Sequence, residues 1–504
     1  MNQSIKITYL IVIFTSISSL LIAQNDSINI QNQGYQTFES YQNIGYDQTL
    51  RPQFHFTSRK NWINDPNGMV WYDGEYHLFF QHNPKGTAWG NMTWGHAVST
   101  DMVHWKQLPH AILPYGGGTI YSGTAVIDNN NSLGKQKGNT KTMVAVFTYA
   151  KEPFYQAAAY STDKGRTFQL LNNGEAVVPN QKIDRGERDP KLFWHETSKE
   201  WVMVLWVKKG DEKGSETEKL GKVRIFNSEN LIDWKLVSEL EREWVYECMD
   251  LVELPVDGNI NNKKWVLYDA SFEYEIGEFN GKTFTSDKRT IKGDFGTNFY
   301  AAQSFNNSPD ERTVMMGWMN GIWKEPTFFE KAGMPFNLQM SFPTTMELRT
   351  TPKGIRLYRW PVKEIEKLYV KTYSFSNLSV NELSKKLASI KTDLLDLTLE
   401  FEPKDSIVLN IRGLEMVYDI KTTSIVYGNR NIPAPITNGK VKLRALLDRV
   451  SLELFVNEGA SIGTFYALPD SKRKLFSISG DGNLKINSLV IRELRSSWGG
   501  GGRI

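Results

Sequence analysis

The sequence predicts an all-β protein: a five-bladed β-propeller followed by a C-terminal antiparallel β-sandwich. Three observations carry this. Runs such as "EYHLFFQ", "TMVAVFTYA", "EWVMVLWVK", "KKWVLYDA" and "RTVMMGWM" are rich in β-branched and aromatic residues, too short for helices, and bounded by Gly, Asn, Asp and Pro. A turn motif recurs in "STDMVHWKQL" from Ser99, "STDKGRTFQLL" from Ser161 and "SENLIDWKLV" from Ser228, with a weaker copy in "GEFNGKTF" from Gly277. Upstream of each copy, a polar segment leads into a strand. These segments start at Asp65, Ser122, Asp189 and Glu247, with a fifth near Tyr300, at steps of 57, 67, 58 and 53 residues. A period of that size with about four strands per unit is the signature of propeller blades. A sandwich or barrel built from the same short strands is the competing architecture.

The chain has 504 residues, 40% hydrophobic and 23% charged, with a net charge of only +3, so neither a nucleic-acid nor a polybasic membrane surface is indicated. Lys6 precedes a mostly apolar run from Ile7 to Ala23, read as a secretory signal peptide over residues 1–23. That run is short and diluted by Thr and Ser, which argues against a permanent membrane span. The expected location is therefore extracellular or periplasmic. Residues 24–50, rich in Asn, Gln and Ser, read as a flexible leader, and residues 51–345 as the propeller. Residues 346–365 are expected to be a linker. "LDLTLEFEP", "SIVLNIRGL", "EMVYDIKTTSIVYG" and "VKLRALLDRVSLELFVNEG" then give the strands of a sandwich over 366–495, and 496–504 a disordered tail. Cys248 is the only cysteine, so no disulfide framework exists, and its thiol reads as buried and inert.

The stretch "NWINDPNGMV" poses the functional question, because Asp65 in it is either a turn former or a reactive group. Propeller topology bears on the choice. The first strand of every blade lines the central channel, so Asp65, Asp189 in "ERDPKLF" and Glu247 in "YECMDL" converge on it. Three carboxylates in one funnel raise one another's pKa and resist burial, and structures keep such clusters mainly for chemistry or metal binding. Paired carboxylates are the equipment for glycosidic cleavage. For a metal, His55, His77, His82, His96, His104 and His110 crowd into one region, but none makes a His-x-x-x-His pair, and there is no acidic Ca²⁺ loop. Nor is there a Gly-x-Ser-x-Gly elbow, a phosphate loop or a dinucleotide fingerprint, so no metal and no cofactor is expected.

"WINDPNG", "FFQHNP", "WGNMTWGHAVSTDMVHW", "YSGTAVID", "ERDPKLFWH", "ECMD" and "DFGTNFYAAQSF" follow the order of blocks in glycoside hydrolase family 32, and the chain resembles that family from about Leu50 to Leu494. Within it the likeness is greatest to bacterial exo-acting fructan β-fructosidases. The resemblance implies that Asp65 is the nucleophile forming a covalent fructosyl-enzyme, Glu247 the general acid/base, and Asp189 the residue that grips sugar hydroxyls in the transition state. It places fructose contacts at Gln81, Trp89, Ser122, Arg188 and Trp318, with Asn64, Tyr121 and Tyr300 beside them. Core packing is the competing role for Trp89 and Trp318. Met249 and Ile63 stand where the family usually has Pro and Met; loss of that Pro frees a backbone dihedral beside Glu247. The implied partner is a fructan or fructosyl oligosaccharide. A fructosyltransferase using the same carboxylates, and a non-catalytic fructan-binding propeller, are the rival functions.

Overall fold

A computed structural model of the chain describes residues 39–182, 186–208, 221–321, 326–470 and 476–498. The expected signal peptide and most of the leader lie outside the described residues. Residues 39–43 hold a helical turn, Glu39–Gln42. From Ile44 onward the chain is one compact unit made mostly of strands.

Its first sheet contains β1 (Asn61–Tyr72), β2 (Glu75–Asn83), β3 (Thr93–Ser99) and β4 (Lys106–Ile112) in that order. The second has β5 (Thr119–Asp128), β6 (Thr142–Ala150), β7 (Tyr155–Ser161) and β8 (Gln169–Leu170), with β9 (Ala176–Val178) on β7. The third has β10 (Glu187–His195), β11 (Glu200–Lys208), β12 (Gly221–Ser228) and β13 (Lys235–Arg242). Consecutive strands pair antiparallel, as short turns require. The remaining strands are β14 (Asp250–Val256), β15 (Asn259–Tyr268), β16 (Glu273–Phe279), β17 (Phe284–Ser286), β18 (Ile291–Lys292), β19 (Tyr300–Ser304), β20 (Val314–Met319), β21 (Phe336–Asn337), β22 (Gln339–Met340), β23 (Thr344–Thr351) and β24 (Gly354–Pro361). All but β21 join one ten-stranded sheet, because β14 pairs parallel with β23 at Val256 and Leu348. The last two repeats thus share one hydrogen-bonded sheet instead of standing apart. β21 returns to the start of the chain and pairs parallel with β1.

The recurring turn motif falls at the same place in each repeat, between the third and fourth strands. In the second copy Asp163 Oδ1 accepts from the backbone N–H of Arg166 (3.1 Å) and Thr167 (2.9 Å). Asp101, Asn230 and Asn280 make the corresponding bonds in the other three. A side-chain acceptor two to four residues back fixes each reversal, so these residues are structural.

The inner strands β1, β5, β10, β14 and β19 are tied to one another by buried and half-buried polar side chains. Gln303 on β19 accepts from Met69 N and donates to Gly123 O, Thr124 Oγ1 donates to Pro190 O, and Lys191 Nζ meets Asp250 Oδ2 at 3.0 Å. Each bond satisfies a group that could not otherwise be buried.

Three boundaries differ from expectation. Residues 346–361, expected as linker, are the β23–β24 hairpin, whose Met346, Leu348 and Leu357 are buried in an apolar cluster; only the 3-10 turn Lys363–Leu368 connects. The end of the leader is packed, with Tyr46 stacked on Trp498 at 4.0 Å. Trp498 and Ser497 belonged to the expected disordered tail, yet they bond to Pro52 O and Gln53 O. Burial of the indole outweighs the ordering cost that glycine-rich neighbours suggested.

The C-terminal part packs a six-stranded on a five-stranded antiparallel sheet around an aliphatic core. It also contains a helix, Val380–Leu387, which strand patterning missed. Its capping box, Ser379 with Glu382, was a readable signal, and Val380, Leu383 and Leu387 form its buried face.

A buried ionic joint links this part to the chain's start. His55 lies between Asp448 Oδ2 and Glu453 Oε2, each 2.8 Å away, while Asp448 also accepts from the backbone N–H groups of Gln53 and Phe54. Burial alone would depress the imidazole, but the two carboxylates raise it to about 9. A folded pKa above the unfolded value gives stability that is complete below about 6.5 and lost as pH rises through about 9, on the order of 3 kcal/mol. Thermal melts of the native protein are therefore expected to fall between pH 7 and 10, and those of His55→Gln to be lower and flatter over that range.

Candidate active site

Side chains from all five repeats meet at one cavity of about 570 Å³. The backbone explains how. A regular strand turns alternate residues to opposite faces, and one extra residue re-aims the side chains around it. Four inner strands carry such an insertion beside the cavity, two residues facing one on the partner strand. The steps lie between Ile63 and Pro66, Ile120 and Gly123, Arg188 and Lys191, and Tyr300 and Gln303. They contain Asn64–Asp65, Tyr121–Ser122, Asp189–Pro190 and Ala301–Ala302. At Gly123 the chain runs so close to β6 that a Cβ would sit 2.0 Å from Val146 O. Asp189, Cys248 and Ala301 have φ of 63°, 46° and 50°, left-handed values that non-glycine residues adopt at a cost and that cluster at functional sites.

Asn64, Asp65, Gln81, Trp89, Tyr121, Ser122, Arg188, Asp189, Glu247 and Tyr300 all line this cavity. Trp318 does not. It is completely buried behind the wall, edge-on to Tyr300 and to Trp62, so it braces Tyr300 instead of facing the cavity. Met92, Phe154 and Tyr246 also line it and were not singled out from the sequence. Tyr246 adjoins Glu247, which was a usable signal; Phe154 sits in a turn with no motif to mark it. None of the six clustered histidines lines the cavity. His77 and His96 stack in the core, and half-buried His110 stacks on buried His82. Among the described residues no group of three or more His, Cys, Asp or Glu is placed to hold a metal.

Asp65 is half-buried at the cavity floor. Its Oδ2 accepts from Ser122 Oγ (2.7 Å) and Cys248 Sγ (3.4 Å), and its Oδ1 from Asn64 Nδ2 (3.1 Å). Trp62 Nε1 donates to Asn64 Oδ1 and so fixes that amide's orientation. Burial, and then the charge of Glu247, raise the Asp65 pKa, while its three donors oppose the rise. Asp189 is pushed up to about 7 by burial and then by Glu247, against the pull of Arg188. Its Oδ2 accepts from Cys248 N (3.1 Å) and, with Sγ 3.3 Å away, shares the single Cys248 S–H proton with Asp65. Burial, followed by Asp189 and Asp65, pushes the Cys248 thiol well above its ordinary value, which keeps it a hydrogen-bond donor and a poor nucleophile.

Glu247 is held from both sides. Arg188 Nε donates to Oε2 at 2.6 Å and Tyr300 OH to Oε1 at 2.8 Å. Arg188 lies over the Trp206 ring and bonds Tyr246 OH, so the guanidinium itself is fixed. A tyrosine hydroxyl donates to a carboxylate and can accept from a carboxylic acid, so this clamp tolerates Glu247 in both protonation states. No proline stiffens the next turn. Instead Met249 is buried beside Trp206, Val245 and Leu251, and Ala270 N donates to Glu247 O at 3.0 Å. Gln81 Nε2 is buried and lacks a protein partner among the described residues, leaving an amide donor beside the carboxylates. Trp89, 48% exposed, Tyr121 and Phe154 form an aromatic wall across the cavity, in edge-to-face contact. Together these groups offer several carboxylates, a fixed cation, hydroxyl and amide donors, and an apolar wall, which suits a polyhydroxy ring with a bond to be cleaved.

Residues 55–361 match the model of the glycosyl hydrolases family 32 N-terminal domain, and 364–493 that of the family 32 C-terminal domain. The levanase of Bacillus subtilis (strain 168) is 37% identical over 502 residues, covering 90% of this chain and 72% of that protein. The extracellular exo-inulinase of Aspergillus niger is 32% identical, covering 85% of this chain and 91% of its own. Among solved structures, exo-inulinase from Aspergillus awamori superposes with a TM-score of 0.77 at 29% identity, over 90% of this chain and 100% of that one. Fructofuranosidase from Schwanniomyces occidentalis complexed with fructose gives 0.75 at 26% identity, over 90% and 100%.

Proposed function

The chain belongs to glycosyl hydrolase family 32 and is a β-fructosidase, a hydrolase of β-fructosidic bonds, and from that premise we propose how its own residues perform the reaction. The five inner strands are the first strands of five propeller blades, and the cavity is the mouth of their channel. Asp65 attacks the anomeric carbon of a terminal β-fructofuranosyl unit. Its three hydrogen-bond donors oppose the rise in pKa that burial and Glu247 cause, and they hold the carboxylate in place for attack. Glu247, protonated, delivers its one proton to the departing oxygen, while Tyr300 keeps donating to the carboxyl group and holds it in place. Ionised again, Glu247 takes a proton from the water that releases fructose, so configuration is retained. Asp189 binds ring hydroxyls, and its negative charge favours the oxocarbenium-like transition state. Gln81, Arg188 and Asn64 bond further hydroxyls; Trp89 and Tyr121 carry the apolar face of the sugar.

The observation that carries this reading is the convergence of Asp65, Asp189 and Glu247, from three repeats, on one cavity lined by donors. Exo action on a fructan or fructosyl oligosaccharide, outside the cell after removal of residues 1–23, completes the proposal. It is supported by the names of the relatives, a levanase and an extracellular exo-inulinase. Product profiles on levan, inulin and sucrose test it. Free fructose as the first product from at least one of them is expected. Growing oligosaccharides from sucrose, without free fructose, would replace hydrolysis by transfer to a second sugar.

A further inference from the structure

Beneath the cavity runs a chain of buried polar side chains that the mechanism above does not use. Thr148, Gln156 and Glu187 are each 0% exposed. The backbone N–H of Asp189 donates to Thr148 Oγ1 at 3.0 Å, and Thr148 Oγ1 donates to Gln156 Oε1 at 2.7 Å. Gln156 Nε2 reaches Glu187 Oε1 at 3.4 Å, and Glu187 Oε2 accepts from Gln181 N at 2.6 Å. Thr148 and Gln156 are cross-strand partners on β6 and β7, so the first half of the chain is fixed by the sheet itself.

Polarity runs one way along it. The Glu187 carboxylate takes an N–H from Gln156 and thereby turns the amide oxygen towards Thr148. That oxygen takes the Thr148 proton, and only a lone pair is left to face Asp189. The lone pair meets the amide of a residue whose φ of 63° is left-handed, a conformation that must be held by its surroundings. A fully buried carboxylate, pushed up to about 7 by its burial, is a costly anchor for stability alone.

We infer that Thr148, oriented by Gln156 and Glu187, is a positioning residue for Asp189: its hydroxyl holds the strained backbone that aims the Asp189 carboxylate at the sugar. This rests on the proposed role of Asp189. Because the carboxylate acts mainly in the transition state, misplacing it lowers kcat more than it raises KM.

The test compares Thr148→Val, which keeps the shape but removes the acceptor, with Thr148→Ser, which keeps the hydroxyl, using sucrose or whichever β-fructofuranoside the native enzyme cleaves. Thr148→Val is expected to lose about 30-fold in kcat, with KM within about 3-fold, and Thr148→Ser to retain kcat within about 3-fold. Glu187→Gln can satisfy only one of the two donors with its single oxygen, so it should lose about 5-fold in kcat alone; it serves as the test if Thr148→Val fails to fold. Unchanged kcat in a folded Thr148→Val, or in Glu187→Gln where that variant stands in, overturns the inference, as does a loss shared equally by Thr148→Ser. Failure of the native enzyme to release fructose from any such substrate would instead remove the functional reading beneath it.

Discussion

Asp65→Asn should lose on the order of 10⁵-fold in kcat while melting no lower than the native protein. The substitution keeps the shape and one acceptor oxygen for Ser122 and Cys248, and turns the other oxygen into an amide nitrogen facing Asn64 Nδ2, a lost hydrogen bond worth about 1 kcal/mol that removal of a buried charge outweighs. The carboxylate's pKa is raised by burial and by Glu247, so its charge destabilises the fold at neutral pH. Removing that charge relieves the strain. Lost turnover with unchanged or higher stability is what a group kept for chemistry gives. A turn former would show the reverse, a lower melting temperature with activity intact. Kinetics on sucrose together with thermal melts of the two proteins make the comparison.

The second large effect is at Glu247. Glu247→Gln cannot give or take the proton, and a loss of about 10²- to 10⁴-fold in kcat on sucrose is expected. The size of the loss should depend on the leaving group. With an aryl β-fructofuranoside, whose phenolate departs without help, formation of the fructosyl-enzyme should be nearly spared and its hydrolysis impaired. A burst of phenolate followed by a slow steady state is the expected trace. Equal losses on both substrates would mean that Glu247 only positions Arg188 and Tyr300, its two partners at 2.6 and 2.8 Å.

Much of this site was legible in the sequence because its residues sit in turn-forming motifs that recur at a regular spacing. Asp65, Asp189 and Glu247 needed only the topology to bring them together, and the Asp163-type turns marked the repeat independently. What could not be read is set by geometry between strands. The four insertions that aim Asp65, Ser122, Asp189 and the Ala301 region depend on pairing register, which local composition does not specify. Trp318 illustrates the same limit, since a tryptophan on the cavity side and one braced behind Tyr300 look alike in sequence. The Thr148–Gln156–Glu187 chain was likewise invisible, because although Glu187 opens the "ERDPKLF" block, Thr148 and Gln156 carry no mark of their own and meet it only through the sheet. Boundaries failed for a related reason: the β23–β24 hairpin looks like a connector until its apolar residues are seen to fill the core.

The central claim is that Asp65 becomes covalently bonded to the sugar. Glu247→Gln treated with an aryl β-fructofuranoside, quenched in acid during the burst and digested, should give a peptide containing Asp65 heavier by one fructosyl unit, with the added mass on that side chain. Finding the fructosyl unit on Asp189 or on another residue, or a full burst with no adduct on any peptide, would contradict it.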